Sequence, residues 1–395
     1  MAALKQPQRL PPRSSLAPGP LNSIPHRRQA LKPRLAALLV LTACALSCKR
    51  QPKPVSSLGR EVDHQQLARK LELSIETAGR SQVWIKPSAG RFGVRPAPSP
   101  EARAGSEVYS AVVGALERQA RENQLDVSVD ETRGRKGLRV ADIRLSHNRK
   151  PVARWTIREV PRLLHAAIII DDLGANLEKP HQLLALPYAL TFSILPHLSS
   201  SAETARAARH AGREVMLHLP MEPIPSPHAP PGPADIRVGM NRLEVERIID
   251  SDLASVPQAA GVNNHMGSRA TADPRLMAAV MRSLAGRHLF FIDSRTIASS
   301  VAFDAARRQG LPAFYRSVFL DDTQTVPYTI GQLREFRRVL EEQGAALAIG
   351  HPYPTTIAAL ARFLPALVGD DVELEPASQL LLLPEVAHLK PPPRR

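Results

Sequence analysis

Two carboxylates, Asp171 and Asp172, follow directly on the apolar run Ala-Ala-Ile-Ile-Ile at 166–170. Adjacent charges in that setting are costly unless a cation or strong donors compensate them. In a regular strand their side chains alternate, so one can bind a metal while the other faces substrate. The purely structural alternative is an N-cap or turn pair that opens the next helix. Three histidines weigh against it, because His218, His265 and His351 also fall at or just beyond the ends of apolar stretches. Two imidazoles and a carboxylate suit zinc or a similar divalent ion with one open position for water. Such a site polarises a carbonyl and activates a hydrolytic water. A second carboxylate then takes the water's proton, and a separate histidine protonates a departing amine.

These residues need a scaffold that delivers them to one place. From Ala166 onward the pattern repeats as strand, loop and helix, with strands expected at 166–170, 189–195, 214–219, 261–264, 289–292, 317–320 and 345–349. Helices are expected at 202–211, 243–251, 274–284 and 330–343. This alternation implies an α/β fold with a parallel sheet and outer helices, and seven repeats suffice to close or nearly close a barrel. Chemistry in such barrels gathers where strands end at their C-terminal face. The first strand ends at Asp171-Asp172, the third at His218-Leu-Pro-Met-Glu222, and the fourth at Asn264-His265, with Arg269 just beyond. The fifth ends at Asp293 and Arg295, the sixth at Asp321-Asp322 and the seventh at His351. Six strands thus hand Asp, His, Asn or Arg to one rim.

The matching stretches are Ile169 to Gly174, Leu195-Pro196-His197, His218 to Pro223, the run from Asn263 to Arg269, Asp293-Ser294-Arg295-Thr296 and Gly350-His351-Pro352. In this order they resemble the divergent polysaccharide deacetylase family, a branch of the carbohydrate esterases, over about residues 166–380. The resemblance implies an irregular seven-stranded (β/α) barrel and a metal-dependent hydrolase acting on amide bonds. It implies Asp171 as general base, Asp172 as metal ligand and His351 as general acid. In the wider superfamily both histidine ligands come from one HxxxH turn, whereas here that spacing ends in Glu222 and contains Pro220. We therefore expect Asp172, His218 and His265 as the ligands of a divalent metal, zinc first, with Glu222 as a fallback. Asn264 and Arg269 are candidates to orient substrate or an anion, and Asp293 and Arg295 to hold Asp171 or His351 in position. His197 reads as structural or substrate-facing, and His181, His210, His228 and His288 as surface or loop histidines.

The rest of the chain sets the context. The net charge of +15 is uneven: residues 1–60 hold 11 Lys and Arg and no Asp or Glu, while residues 165–395 hold 22 basic against 24 acidic residues. A near-neutral C-terminal region with few aromatics argues against nucleic acid as a partner. The uncharged run at 35–43, preceded by Arg27, Arg28, Lys32 and Arg34, has the layout of a secretory signal. Leu41-Thr42-Ala43-Cys44 resembles a bacterial lipobox, which makes Cys44 the expected lipidation site, with a plain uncleaved anchor as the alternative. Both cysteines, Cys44 and Cys48, lie there, so the remainder needs no disulfide framework.

We expect a signal-peptide and lipobox leader at 1–48, a linker at 49–60 and a small α+β domain at 61–160. The barrel should span 165–382 and a Pro/Arg-rich tail 383–395. The small domain should carry helices near 67–75 and 107–123, a loop at 87–105, and strands at 83–85, 125–129, 138–145 and 151–157. It holds no carboxylate pair or histidine cluster at recognisable spacing, so packing or wall binding is its expected role. The leading expectation is an exported, periplasmic lipoprotein that removes acetyl groups from N-acetylated amino sugars of an envelope glycan. The alternative is a non-catalytic glycan-binding or scaffold protein that keeps the barrel. Phosphoester or other amide hydrolysis on the same rim is a third reading.

Overall fold

The computed structural model describes residues 64–86, 100–134, 137–225, 235–369, 371–384 and 386–389. The expected leader with Cys44, the linker at 49–60, His228 and the tail from residue 390 lie outside the described residues.

The first sheet comprises β1 (Val83–Ile85), β2 (Glu101–Gly105), β3 (Asp126–Arg133), β4 (Arg139–His147) and β5 (Lys150–Val160), in the order β1-β2-β5-β4-β3. Helices His64–Gly79 and Tyr109–Glu122 supply Leu67, Leu71, Ile75, Val112 and Leu116 to the core that also holds Ile143, Trp155 and Ile157 from the sheet. The spacing of four between Leu67, Leu71 and Ile75 puts all three on one helical face. One expectation fails within this sheet. Glu101–Gly105 is a strand rather than the end of a loop, running parallel to β5 and antiparallel to β1. Alanine and glycine have weak strand preference, so nothing local marked it. Tertiary pairing with the long β5 decides its conformation.

The second sheet holds all seven expected strands: β6 (Leu164–Leu173), β7 (Thr191–Ile194), β8 (Val215–Met221), β9 (Gly261–Met266), β10 (Phe290–Asp293), β12 (Val318–Phe319) and β13 (Ala345–Gly350). Two more appear, β11 (Ala313–Tyr315) and β14 (Val372–Leu374). The order is β11-β10-β9-β8-β7-β6-β13-β12, all parallel, with β14 also paired to the N-terminal half of β6. The sheet curls as a half-barrel. Its outer strands β11 and β12 are two pieces of one extended stretch, the first bonded to β10 and the second to β13. The sixth repeat is thus a broken strand that serves both edges.

β6 lies at the centre, and its residues from Leu164 to Asp171 are buried. An unbroken apolar run is what a parallel strand covered on both faces requires. Caps start three of the helices outside the sheet. Asn241 and Glu244 form a capping box on Arg242–Ser255, Asp273 caps Pro274–Ala285, and Thr325 caps Val326–Gln343. Each cap hands the chain from the rim into a helix that returns it to the sheet's N-terminal edge.

After β6 the chain turns at Gly174, with φ +116°, and a Cβ there would lie 2.9 Å from Ser201 Oγ and 3.2 Å from the Leu195 carbonyl. Gly174→Ala is expected to cost about 1–3 kcal/mol from the backbone conformation alone, with the clash adding to it. A thermal midpoint equal to wild type would show that this turn is free to relax.

Candidate metal centre and active site

β6 does not end as a regular strand. Its register against β7 shifts between Ile170 and Leu173, and Asp172 adopts the left-handed conformation at φ +57°. A bulge of this kind re-aims side chains. Alternation predicted that the two carboxylates diverge, yet both face the same imidazole. His218 Nε2 lies 3.6 Å from Asp171 Oδ2 and 3.2 Å from Asp172 Oδ1.

His265 completes the group. Its Nδ1 lies 3.1 Å from Asp172 Oδ1 and 3.1 Å from His218 Nε2. Asp172 Oδ1, His218 Nε2 and His265 Nδ1 therefore form a nearly equilateral triangle. Ligand atoms about 2.0–2.1 Å from a tetrahedral ion stand about 3.3 Å apart, close to these edges. Asp172 Oδ1 is also a buried oxygen that accepts no aligned hydrogen bond, although two ring nitrogens flank it. An imidazole nitrogen from each histidine and an unpartnered carboxylate oxygen converging within 3.1–3.2 Å of one another fit a divalent cation. Among the described residues this is the trio able to hold a metal ion.

The electrostatics agree. Burial would raise Asp172, but the imidazoles of His218 and His265 hold its carboxyl well below the usual range. Burial would lower His218, but the charges of Asp171 and Asp172 outweigh it and raise the imidazole instead. The pocket demands positive charge.

Asp171 is buried, at 3% exposure, and its Oδ1 accepts a 2.8 Å hydrogen bond from Asn263 Nδ2. Asn263 in turn contacts Ser294, Ser193 and His218. His351 stands on the other side, with Nε2 3.8 Å from Asp172 Oδ2. The buried Asp321 holds it: Oδ1 is 3.0 Å from His351 Nδ1, and Oδ2 accepts from the His351 backbone N–H and Thr356 Oγ1. Burial would depress His351, but the hydrogen bond to Asp321 and the charges of Asp171 and Asp172 outweigh it, and the imidazole stands at about 9. It is therefore protonated at neutral pH. Asp171, the trio able to hold a metal ion and His351 thus share one rim.

Several expected supporting roles change. Glu222, the fallback ligand, is committed elsewhere: Oε1 accepts from Arg269 Nη1 at 2.7 Å and Oε2 from the Val238 N–H at 2.8 Å. Pro220 and the strand conformation of β8 rule out the helical turn that HxxxH spacing needs. His265, from the adjacent strand, supplies the second imidazole of the trio instead. Asn264 does not face substrate. It is 1% exposed and spends its amide on the Met266 carbonyl and its oxygen on the Ser294 N–H. Asp293 holds neither Asp171 nor His351, because its oxygens bind the Arg295 and Phe303 N–H groups and Ser300 Oγ. The Arg295 guanidinium lies 5.9 Å over the Tyr315 ring. His197 is anchored to helix Arg242–Ser255, with Nε2 2.9 Å from Asp252 Oδ1. His181, His210 and His288 are exposed.

The residues missed in the sequence are Asn263, Asp321 as partner of His351, and Arg316. Arg316 is fixed by the Ser294 and Arg295 carbonyls, lies over the Phe319 ring and is within electrostatic reach of Asp171. For Asn263 a signal existed. A buried amide next to an expected ligand strand could have been paired with His218 once strand register was known.

Residues 168–381 match the divergent polysaccharide deacetylase family. Over 226 residues the chain is 38% identical to the uncharacterized protein YibQ of Escherichia coli, covering 57% of this chain and 70% of that protein. An uncharacterized protein of Haemophilus influenzae is 37% identical over 208 residues, 53% of this chain and 73% of its own length. A crystal structure of an uncharacterized Agrobacterium tumefaciens protein is 25% identical with a TM-score of 0.53, covering 55% of this chain and 89% of that one. The chain is a member of the divergent polysaccharide deacetylase family.

Proposed function

We propose that this protein is a metal-dependent hydrolase that removes acetyl groups from N-acetylated amino sugars of a cell-envelope glycan. The observation that carries the reading is the triangle of Asp172 Oδ1, His218 Nε2 and His265 Nδ1, with Asp171 and His351 beside it. A divalent ion held there, zinc by the chemistry of two imidazoles and one carboxylate, supplies polarisation of the amide carbonyl and acidification of the hydrolytic water. Asp171 takes the proton from the attacking water. His351, protonated and held by Asp321, delivers a proton to the departing amine nitrogen. The reaction leaves acetate and a free amino sugar.

Membership of a deacetylase family supports the acetamide as substrate class. The signal-like run at 35–43 and the lipobox-like Cys44 support an envelope location, with the chain tethered by lipid. A tethered enzyme meets a polymeric glycan at high effective concentration.

Four outcomes are expected. Asp172→Ala and His265→Ala lose zinc in a chelator-competition titration, and acetate release falls with the metal. Asp171→Asn and His351→Ala keep zinc but lose about 10²–10⁴-fold in acetate release. A wild type that binds zinc and glycan yet releases no acetate would make the barrel a binding module instead. The pH profile follows from His351, whose raised value means the proton-donating form persists up to about pH 9 and is lost above it. The rate is therefore expected to decline on the alkaline side, and a His351→Ala variant that keeps the same alkaline decline would remove His351 from the acid role. For the tether, labelled fatty acid should enter wild type and not Cys44→Ala.

A further inference from the structure

We propose that Asn263 is a two-ended positioning residue whose carbonyl sets the tautomer of His218 for the cation while its amide separately pins Asp171. This rests on the metal-dependent reading above and adds a residue to it.

The assignment follows from what each partner can offer. An ionised carboxylate only accepts hydrogen bonds, so the group facing Asp171 Oδ1 at 2.8 Å must be the Asn263 NH2. The second amide proton goes to Ser294 Oγ at 3.2 Å. The carbonyl oxygen then faces the other way, accepting from Ser193 Oγ at 2.6 Å, with His218 Nδ1 3.0 Å away. An amide oxygen cannot donate, so Nδ1 of His218 carries the proton. In the neutral ring Nε2 is then left with a lone pair, and Nε2 is the atom in the triangle with Asp172 and His265. All four hydrogen-bonding positions of Asn263 are filled, and the residue is fully buried. Flipping the amide would set its NH2 against the Ser193 hydroxyl and the His218 ring, and its carbonyl against the Asp171 carboxylate. The orientation is therefore unique.

Strand order makes this possible. Asp171, Ser193, His218 and Asn263 sit on the adjacent strands β6, β7, β8 and β9, and Ser294 directly follows β10. Asn263 is the register partner of His218 across β8 and β9. One amide thus links a metal-ligating histidine to the base through the sheet itself.

The two ends are separable by substitution. Asn263→Asp keeps an acceptor for His218 Nδ1–H but offers no donor to Asp171. Asn263→Ala removes both. With zinc as the probe and the full chain in chelator competition, Asn263→Ala is expected to lose about 10–100-fold in affinity, the usual cost of removing a partner of a metal-bound histidine. Asn263→Asp should stay within a few-fold of wild type. Acetate release should fall in both, so the aspartate variant separates metal binding from turnover. Equal zinc losses in the two variants, or wild-type affinity in Asn263→Ala, would overturn the proposal. A wild type without zinc affinity would instead sink the metal-dependent reading. Because the alanine variant can fail to fold, nitrogen-15 spectra of histidine-labelled wild type give a second test. With zinc bound, His218 should show a protonated Nδ1 and a coordinated Nε2, and coordination through Nδ1 would overturn the assignment.

Discussion

Ending a doubly buried strand in two adjacent carboxylates is the constraint on which the rest of this structure depends. β6 brings Asp171 and Asp172 to the rim at the end of a run of buried residues. Ionised groups there need partners, since unpaired buried charge is among the most costly arrangements a fold can hold. The partners come from the neighbouring strands in order: His218 from β8, Asn263 and His265 from β9, and His351 after β13. The parallel sheet therefore does more than enclose a core. It fixes the lateral order in which donors reach the carboxylates.

The bulge at Ile170–Leu173 resolves a conflict that a regular strand could not. With alternating side chains only one carboxylate would face the pocket. A left-handed Asp172 turns the second one inward, a conformation that costs of order 1 kcal/mol and is common at sites where geometry matters more than stability. Around this point the rim divides into two kinds of residue. Asp171, Asp172, His218, His265 and His351 point at one another, whereas Asn264, Asp293 and Glu222 secure the loops that hold them.

The first sheet attaches at the opposite end. β14 pairs with the N-terminal half of β6, and nearby His165 lies 2.7 Å from the Ser81 carbonyl and 3.2 Å from Glu375. Arg103 of β2 bonds Glu373 at 2.9 Å while lying over Trp84. Strand polarity places these contacts at the N-terminal edge of the sheet, away from the C-terminal rim that carries Asp171 and Asp172.

The sequence alone determined the repeating strand-helix order and six strand ends rich in Asp, His, Asn and Arg, and together with the family resemblance these pointed to the trio Asp172, His218 and His265. Such features survive in one dimension because burial dictates apolar runs and because loops begin where strands end. Which polar residue faces inward was not legible. Asn263 and Asn264 are neighbours of one type, yet one orients Asp171 and His218 and the other braces the loop near Met266. Asp293 was expected to hold Asp171 or His351, yet it binds its own loop, and Asp321 holds His351 instead. These choices rest on register, on a bulge and on left-handed residues, each of which rotates a side chain by half a turn or so without changing composition. Only the tertiary structure decides them, because a side chain's direction is set by the strand beside it rather than by the residues before and after it.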